Sequence, residues 1–197
     1  MKILSLVDGS KATSFLAVML AIVAFLLCGC ASTASNGNDQ IVKAAIELAE
    51  EYRSLGRLED SIGVYDKALE RTYDYRLLYN KALTIANLGD FEQAAALCQE
   101  GHGSFPYILA FKKAQAKYYI ELERWQDAAS SYIEVLELDP YDTSTRKALI
   151  SLYVTNNEPS KAAEQATILW NQGYRTAETV GLMKVSLDPS LESSQED

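Results

Sequence analysis

The 197-residue chain carries 27 acidic against 18 basic residues, a net charge of −9; that balance excludes the ordinary nucleic-acid binder, whose domain is basic overall. Three cysteines and a single histidine, His102, supply no Cys/His metal spacing, and no P-loop or dinucleotide glycine pattern is present. With 48% of its residues hydrophobic, the chain has enough apolar side chains to build a core without disulfides or metal.

Residues 1–29 read as a targeting segment. Lys2 and Lys11 give a positive start, and Ala12 to Leu27 is an apolar run of 16 residues. A bilayer-spanning helix needs about 20, so the run suits the core of a signal peptide. It ends in Leu27-Cys28-Gly29-Cys30, which is similar to the bacterial lipobox, with a small residue before the cysteine and a leucine three before it. That resemblance implies lipidation of Cys30 as the mature N-terminus. Cys28 fits poorly, because Leu27 stands at its small-residue position. The alternative is an uncleaved signal anchor ending near Ser32. Both place the rest of the chain outside the cytoplasm and tethered to a membrane. In a host with two membranes, Ala31 and Ser32 are compatible with the outer one; with one membrane, the site is the outer face of the cytoplasmic membrane. Two or three acyl chains, as the family carries, give lasting attachment at about 0.8 kcal/mol per buried CH₂.

Removing the leader, with Lys2, Lys11 and Asp8 for a net +1, takes the remainder to −10. The segment 30–40 holds the lipidated cysteine and a polar tether rich in Ser, Asn and Gly, with an r.m.s. reach of roughly 15 Å. Cys98 then stands alone among the repeats, without an intramolecular disulfide partner, and reads as a small core residue.

From 42 onward the chain repeats itself. Leu109–Asp142 reads as two amphipathic helices: Ala116 and Tyr119 mark the first, and Trp125, Ala128, Tyr132, Val135 and Leu136 the second. Pro140 ends the pair. The segments 42–74, 75–108 and 143–176 carry the same template. Leu48, Ala49, Tyr52, Gly56 and Tyr65 mark the first, Ala82, Ile85, Gly89, Ala94 and Pro106 the second, and Leu149, Ile150, Tyr153, Ala162 and Leu169 the last. A hairpin of this length cannot bury its apolar face alone and stacks on its copies. The pattern predicts helices at about 41–54, 58–71, 75–87, 91–101, 106–122, 125–137, 142–155 and 159–172, with a capping helix over 176–186. Asp90 is an N-cap with Gln93 three residues on. Residues 188–197, with Pro189, three serines and four acids, read as an acidic disordered tail.

The period of 33 to 34 residues and its small-and-large pattern resemble the tetratricopeptide repeat family, over Val42 to about Thr176. The resemblance implies an all-α fold: a right-handed superhelix of about four helical hairpins plus the C-terminal cap. Departures are visible: Lys81 and Gln115 replace an apolar residue, Glu123 and Asn157 replace glycine at the turn, and Tyr73 and Tyr174 stand where proline is usual. Pro159 replaces a large apolar residue.

In that family the first helix of each unit lines a concave partner-binding groove. Carried onto this chain, the charged groove positions are Lys43, Glu50, Arg53, Arg76, Lys113, Lys117, Glu121 and Lys147, a local balance of +4. Tyr79 and Asn80 fall on the same face. A basic groove in an acidic body favours a protein or peptide partner with an acidic or C-terminal segment; the alternative is that the cations only solubilise. The carboxylate clamp of some chaperone-binding relatives is not reproduced: Asn80 matches one position, while Ile46, Glu50, Ala110 and Ala114 replace the others. No catalytic residue, cofactor or metal is expected; His102 reads as a helix-terminal histidine, and Tyr52, Tyr65, Tyr119, Tyr132 and Tyr153 as packing residues. The expected role is a non-catalytic adaptor, lipid-anchored in the cell envelope, by analogy with assembly lipoproteins of pili and secretion machines. An adaptor docking cell-wall hydrolases or synthases is the alternative, and an enzyme the remaining one.

Overall fold

The computed structural model describes residues 37–187. The leader, Cys30, most of the tether and the tail 188–197 therefore lie outside the described residues. Within them the chain is helical, without a strand: α1 (37–54), α2 (Leu58–Leu69), α3 (Tyr75–Asn87), α4 (Phe91–Ser104), α5 (Ala110–Glu121), α6 (Trp125–Leu138), α7 (Thr143–Thr155), α8 (Pro159–Asn171) and α9 (Ala177–Leu187). From α2 to α9 each helix packs on the next. The first helices of successive hairpins also meet, through Asp39 and Arg76 (α1 to α3, 2.8 Å) and Tyr79 and Phe111 (α3 to α5, ring centroids 5.8 Å). This is a helical repeat superhelix.

The core is strung along the stack. One cluster joins α1, α2 and α3 through Val42, Ala49, Tyr65 and Leu77. A second is built on Leu78, Ala82, Ala94, Cys98 and Phe111, and a third on Ala116, Ala128, Tyr132, Leu149 and Leu169. Small residues fall where helices touch. At Gly101 an added Cβ would stand 2.4 Å from the Phe111 ring, so the absent side chain is what lets α5 seat against α4. The open start of the stack leaves a shallow apolar cleft of about 450 Å³ between α1 and α2, beside half-exposed Leu48. At the other end α9 covers α8. Its start is held by Thr176 and Thr179, each hydroxyl accepting from the other's backbone N–H at 3.2 and 3.0 Å.

Every turn inside a hairpin ends its helix with a left-handed residue. Gly56, Gly89, Glu123 and Asn157 have φ of 73°, 86°, 56° and 55°. In three of them the next N–H reaches back to the carbonyl five residues earlier, from Arg57 to Tyr52, Arg124 to Tyr119 and Glu158 to Tyr153 (2.8–2.9 Å). This is the Schellman closure that satisfies otherwise orphaned carbonyls. Glu123 and Asn157 thus keep the backbone of the glycines they replace. A basic side chain at the N-cap or in the first turn of the following helix covers the tyrosine ring in each case: Arg57 on Tyr52 (4.7 Å), Arg124 on Tyr119 (4.5 Å) and Lys161 on Tyr153 (5.5 Å). Pro159 is accommodated at the first turn of α8, where its missing N–H leaves nothing unpaired.

Four boundaries differ from the sequence reading. Residues 37–40 are helical rather than part of the tether, and Asp39 pairs one turn ahead with Lys43 and across to Arg76 (2.8 Å each). α5 begins at Ala110, not 106, because Pro106 and Tyr107 form a turn closed by the Ile108 N–H on the Phe105 carbonyl (3.0 Å). α4 continues through Gly101-His102-Gly103 to Ser104. α2 stops at Leu69, where the N–H groups of Arg71 and Thr72 both turn back to Ala68.

Two substitutions should move stability in opposite directions. Gly101→Ala overpacks the α4–α5 contact and should cost about 1–3 kcal/mol. Glu123→Gly removes a left-handed non-glycine residue and should add about 1 kcal/mol. Urea unfolding of both variants beside the parent checks the signs.

Candidate functional site

The first helices of the hairpins, α1, α3, α5 and α7, meet side by side through Asp39 with Arg76, Tyr79 with Phe111 and Lys113 with Asp142. Lys113 and Lys117 are one turn apart on α5 and share a face. Lys43, Lys117 and Lys147 are exposed, while Arg53, Arg76, Lys113, Tyr79 and Asn80 are part-buried. All eight residues expected to line the groove lie on these helices, but neighbouring carboxylates engage most of the cations.

Arg76 is the clearest case. Its guanidinium donates to Asp74 through Nε and Nη2 (3.0 and 2.9 Å) and to Asp39 through Nη1 (2.8 Å). Asp74 and then Asp39 raise its pKa above the ordinary arginine value. Asp39 also holds Lys43 (2.8 Å), and Glu50 lies at 3.5 Å from Arg53. Lys113 is paired with Asp142. Burial alone would raise the Asp142 carboxyl, but Lys113, Ser144 and the backbone and hydroxyl of Thr145 outweigh it and hold the group well below the usual carboxylate range. Adding Asp39, Asp74 and Asp142 to the eight charged positions lowers the local balance from +4 to +1. Lys147 lies over the Tyr174 ring at 5.8 Å. Lys117 is exposed and makes no ion pair among the described residues.

The polar lining is partly committed as well. The Asn80 amide donates to the Arg76 carbonyl one turn back (2.8 Å). Tyr79 packs edge-on against Phe111 at 5.8 Å, and burial raises its phenol above the ordinary value, with Cys98 adding to the rise. It is both groove wall and core. Two of the three carboxylates missing from the sequence reading had a signal. Asp74 and Asp142 are N-caps, accepting from Arg76 N (2.8 Å) and Thr145 N (3.1 Å), and an aspartate just before a helix is recognisable as a cap. A cap at the mouth of a first helix also faces the neighbouring first helix, which only the stacking reveals.

Cys98 is fully buried and burial pushes its thiol up to about 12. His102 is in the last turn of α4, and its pKa is lowered by burial and then by Lys112. No group of three or more metal-ligating side chains occurs among the described residues, and no described helix is long and apolar enough to cross a membrane.

Comparison with known proteins agrees with the helical repeat fold. The tetratricopeptide repeat family profile matches residues 46–107, about the first two hairpins. A tetratricopeptide repeat protein from Parabacteroides merdae superposes with a TM-score of 0.63 at 15% identity, over 75% of this chain and 59% of that one, so this chain spans less than two thirds of its length. MamA (41-end) from Desulfovibrio magneticus RS-1 superposes at 0.55 and 14% identity, over 80% of this chain and 98% of that one. The first TPR of Spaghetti (RPAP3), solved with the HSP90 peptide SRMEEVD, superposes at 0.53 and 20% identity, over 60% of this chain and 94% of that one. At these identities the likeness is one of fold.

The Asp142 cap gives a pH prediction. Its folded-state pKa is depressed below 3.8, so its contribution is present above 3.8 and is lost as pH falls through the folded value. Asp142→Asn keeps a capping acceptor but loses the charge. It should be less stable than the parent at pH 7, with the difference shrinking below pH 3.8; denaturant titrations at pH 7 and pH 3 measure it.

Proposed function

We propose that this protein is a non-catalytic adaptor that binds an extended segment of a protein partner in its concave groove. A lipid on Cys30 holds it at a membrane of the cell envelope, where it assists assembly of a pilus, secretion or other envelope complex. The observation that carries the groove assignment is the run Lys113, Lys117 and Lys147 on α5 and α7, in which Lys117 is exposed without an ion pair and Lys147 is exposed over a ring. On the neighbouring α3, Tyr79 and Asn80 are part-buried. An acidic or C-terminal carboxylate segment meets that run with complementary charge. A fold neighbour holds a peptide ending in Glu-Glu-Val-Asp, which supports a peptide occupant of this surface without assigning its identity. The lipid anchor rests on Leu27-Cys28-Gly29-Cys30 and the apolar run before it.

A crosslinked pull-down from the protein's own cells, run beside Lys117→Glu/Lys147→Glu, tests the groove. Neither lysine makes an ion pair with a carboxylate among the described residues, so the variant should stay helical by circular dichroism while capture of its partner falls by about tenfold or more, roughly 1.4 kcal/mol. Undiminished capture would assign the partner to another surface. In the same cells Cys30→Ser should abolish fatty-acid labelling and release the chain from membranes; persistent labelling refutes the anchor.

A further inference from the structure

One edge of the stack carries an exposed tyrosine in every repeat. Tyr73, Tyr107, Tyr141 and Tyr174 follow one another at the repeat period, each in the loop that leads from one hairpin to the next. Their exposures are 52%, 92%, 78% and 44%, high for side chains of this size, and Leu138 beside them is 60% exposed. Neighbouring loops touch at two points along this edge. Tyr73 stacks on Phe105 of the next loop (5.7 Å), and the Gln172 amide at the end of α8 reaches the Pro140 carbonyl (2.9 Å).

The same edge holds the N-termini of α1, α3, α5 and α7. The bond from Arg76 to Asp39 places the start of α1 beside the start of α3, and Lys113 does the same for α5 and α7 by pairing with the α7 cap. The chain therefore enters the fold, at residue 37, from the tyrosine edge. Between Cys30 and that point lie residues 31–36, and even with Cys30 included such a segment extends at most about 25 Å.

We infer that this edge rests on the membrane surface, with Tyr107 and Tyr141 seated among the lipid headgroups. The inference rests on the lipid anchor at Cys30 for its membrane, and on the geometry of the loops for its orientation. Tyrosine suits this place because its ring is apolar and its hydroxyl hydrogen-bonds at the wet boundary. Glu70, Arg71, Glu100 (which accepts from the Tyr73 hydroxyl at 3.1 Å), Asp139 and Arg175 are exposed along the edge, three acids against two bases, so no basic patch here calls for anionic lipid. The concave groove, formed by helices that run away from this edge, is left open sideways to a partner at the membrane.

The test uses the chain from Cys30 onward, which contains every described residue, joined through its Cys30 thiol to a maleimide lipid in phosphatidylcholine vesicles. Cys98 is buried and its thiol, pushed up to about 12, stays unmodified. Iodination read by peptide mass spectrometry should fall several-fold at Tyr107 and Tyr141 relative to the free chain. It should be unchanged at half-buried Tyr52, which lies near the opposite edge. Equal labelling of tethered and free chain overturns the orientation, as does equal protection of Tyr52. Protection of Tyr107 and Tyr141 by a proline-rich peptide, with none on vesicles, would give the edge to a protein partner instead. Because the tether is made chemically, failure here is distinguishable from failure of Cys30 lipidation in cells.

Discussion

Each hairpin of this protein leaves one apolar face uncovered, and only the next hairpin can bury it. The contact between Gly101 and Phe111 shows the constraint at its tightest. α4 gives up a side chain at the point of closest approach, and the ring from α5 fills the space. Ala49, Ala82, Ala116 and Ala128 do the same elsewhere, all within 0% exposure. Because burial is settled between neighbours, the core is a chain of adjoining clusters and the stack is close to one-dimensional. Its two ends differ for the same reason. α9 closes one, and the other keeps an apolar cleft beside Leu48.

Stacking also determines the electrostatics of the groove. Helix caps are local devices: Asp74 and Asp142 each satisfy an N–H at the start of their own helix. In a superhelix those starts lie side by side, so a cap carboxylate meets the cations of its own and the adjacent first helix. Asp142 thus stabilises α7 and also holds Lys113 from α5. The result is a groove whose charge is mostly compensated inside the protein, with Lys117 and Lys147 left to act outward.

Much of the fold was legible in the residues. The period, the small positions and the turn positions placed each of the eight hairpin helices within a few residues of where it lies. The turn at Glu123 and Asn157 was recognisable despite the missing glycines, because the flanking template continued. The boundaries that moved are those where local signals conflict with packing. Pro106 is compatible with a first helical turn, yet Phe105 stacks on Tyr73 and holds the loop as a turn. Asp39 stands in a polar stretch that reads as linker, but its contact with Arg76, far along the chain, carries the helix back to residue 37.

The sequence by itself determined the helices, their order and which face of each is apolar, because helix periodicity, capping and turn chemistry act over a few residues. It also placed Tyr73 and Tyr174 where the other two repeats have Pro106 and Pro140. Tertiary structure alone decided which of the groove cations remain available, how deeply Tyr79 is built into the core, and that the chain enters the stack on the tyrosine edge. Those properties depend on contacts such as Asp39 with Arg76 and Lys113 with Asp142. Such pairs are remote in sequence and meet only when the hairpins stack.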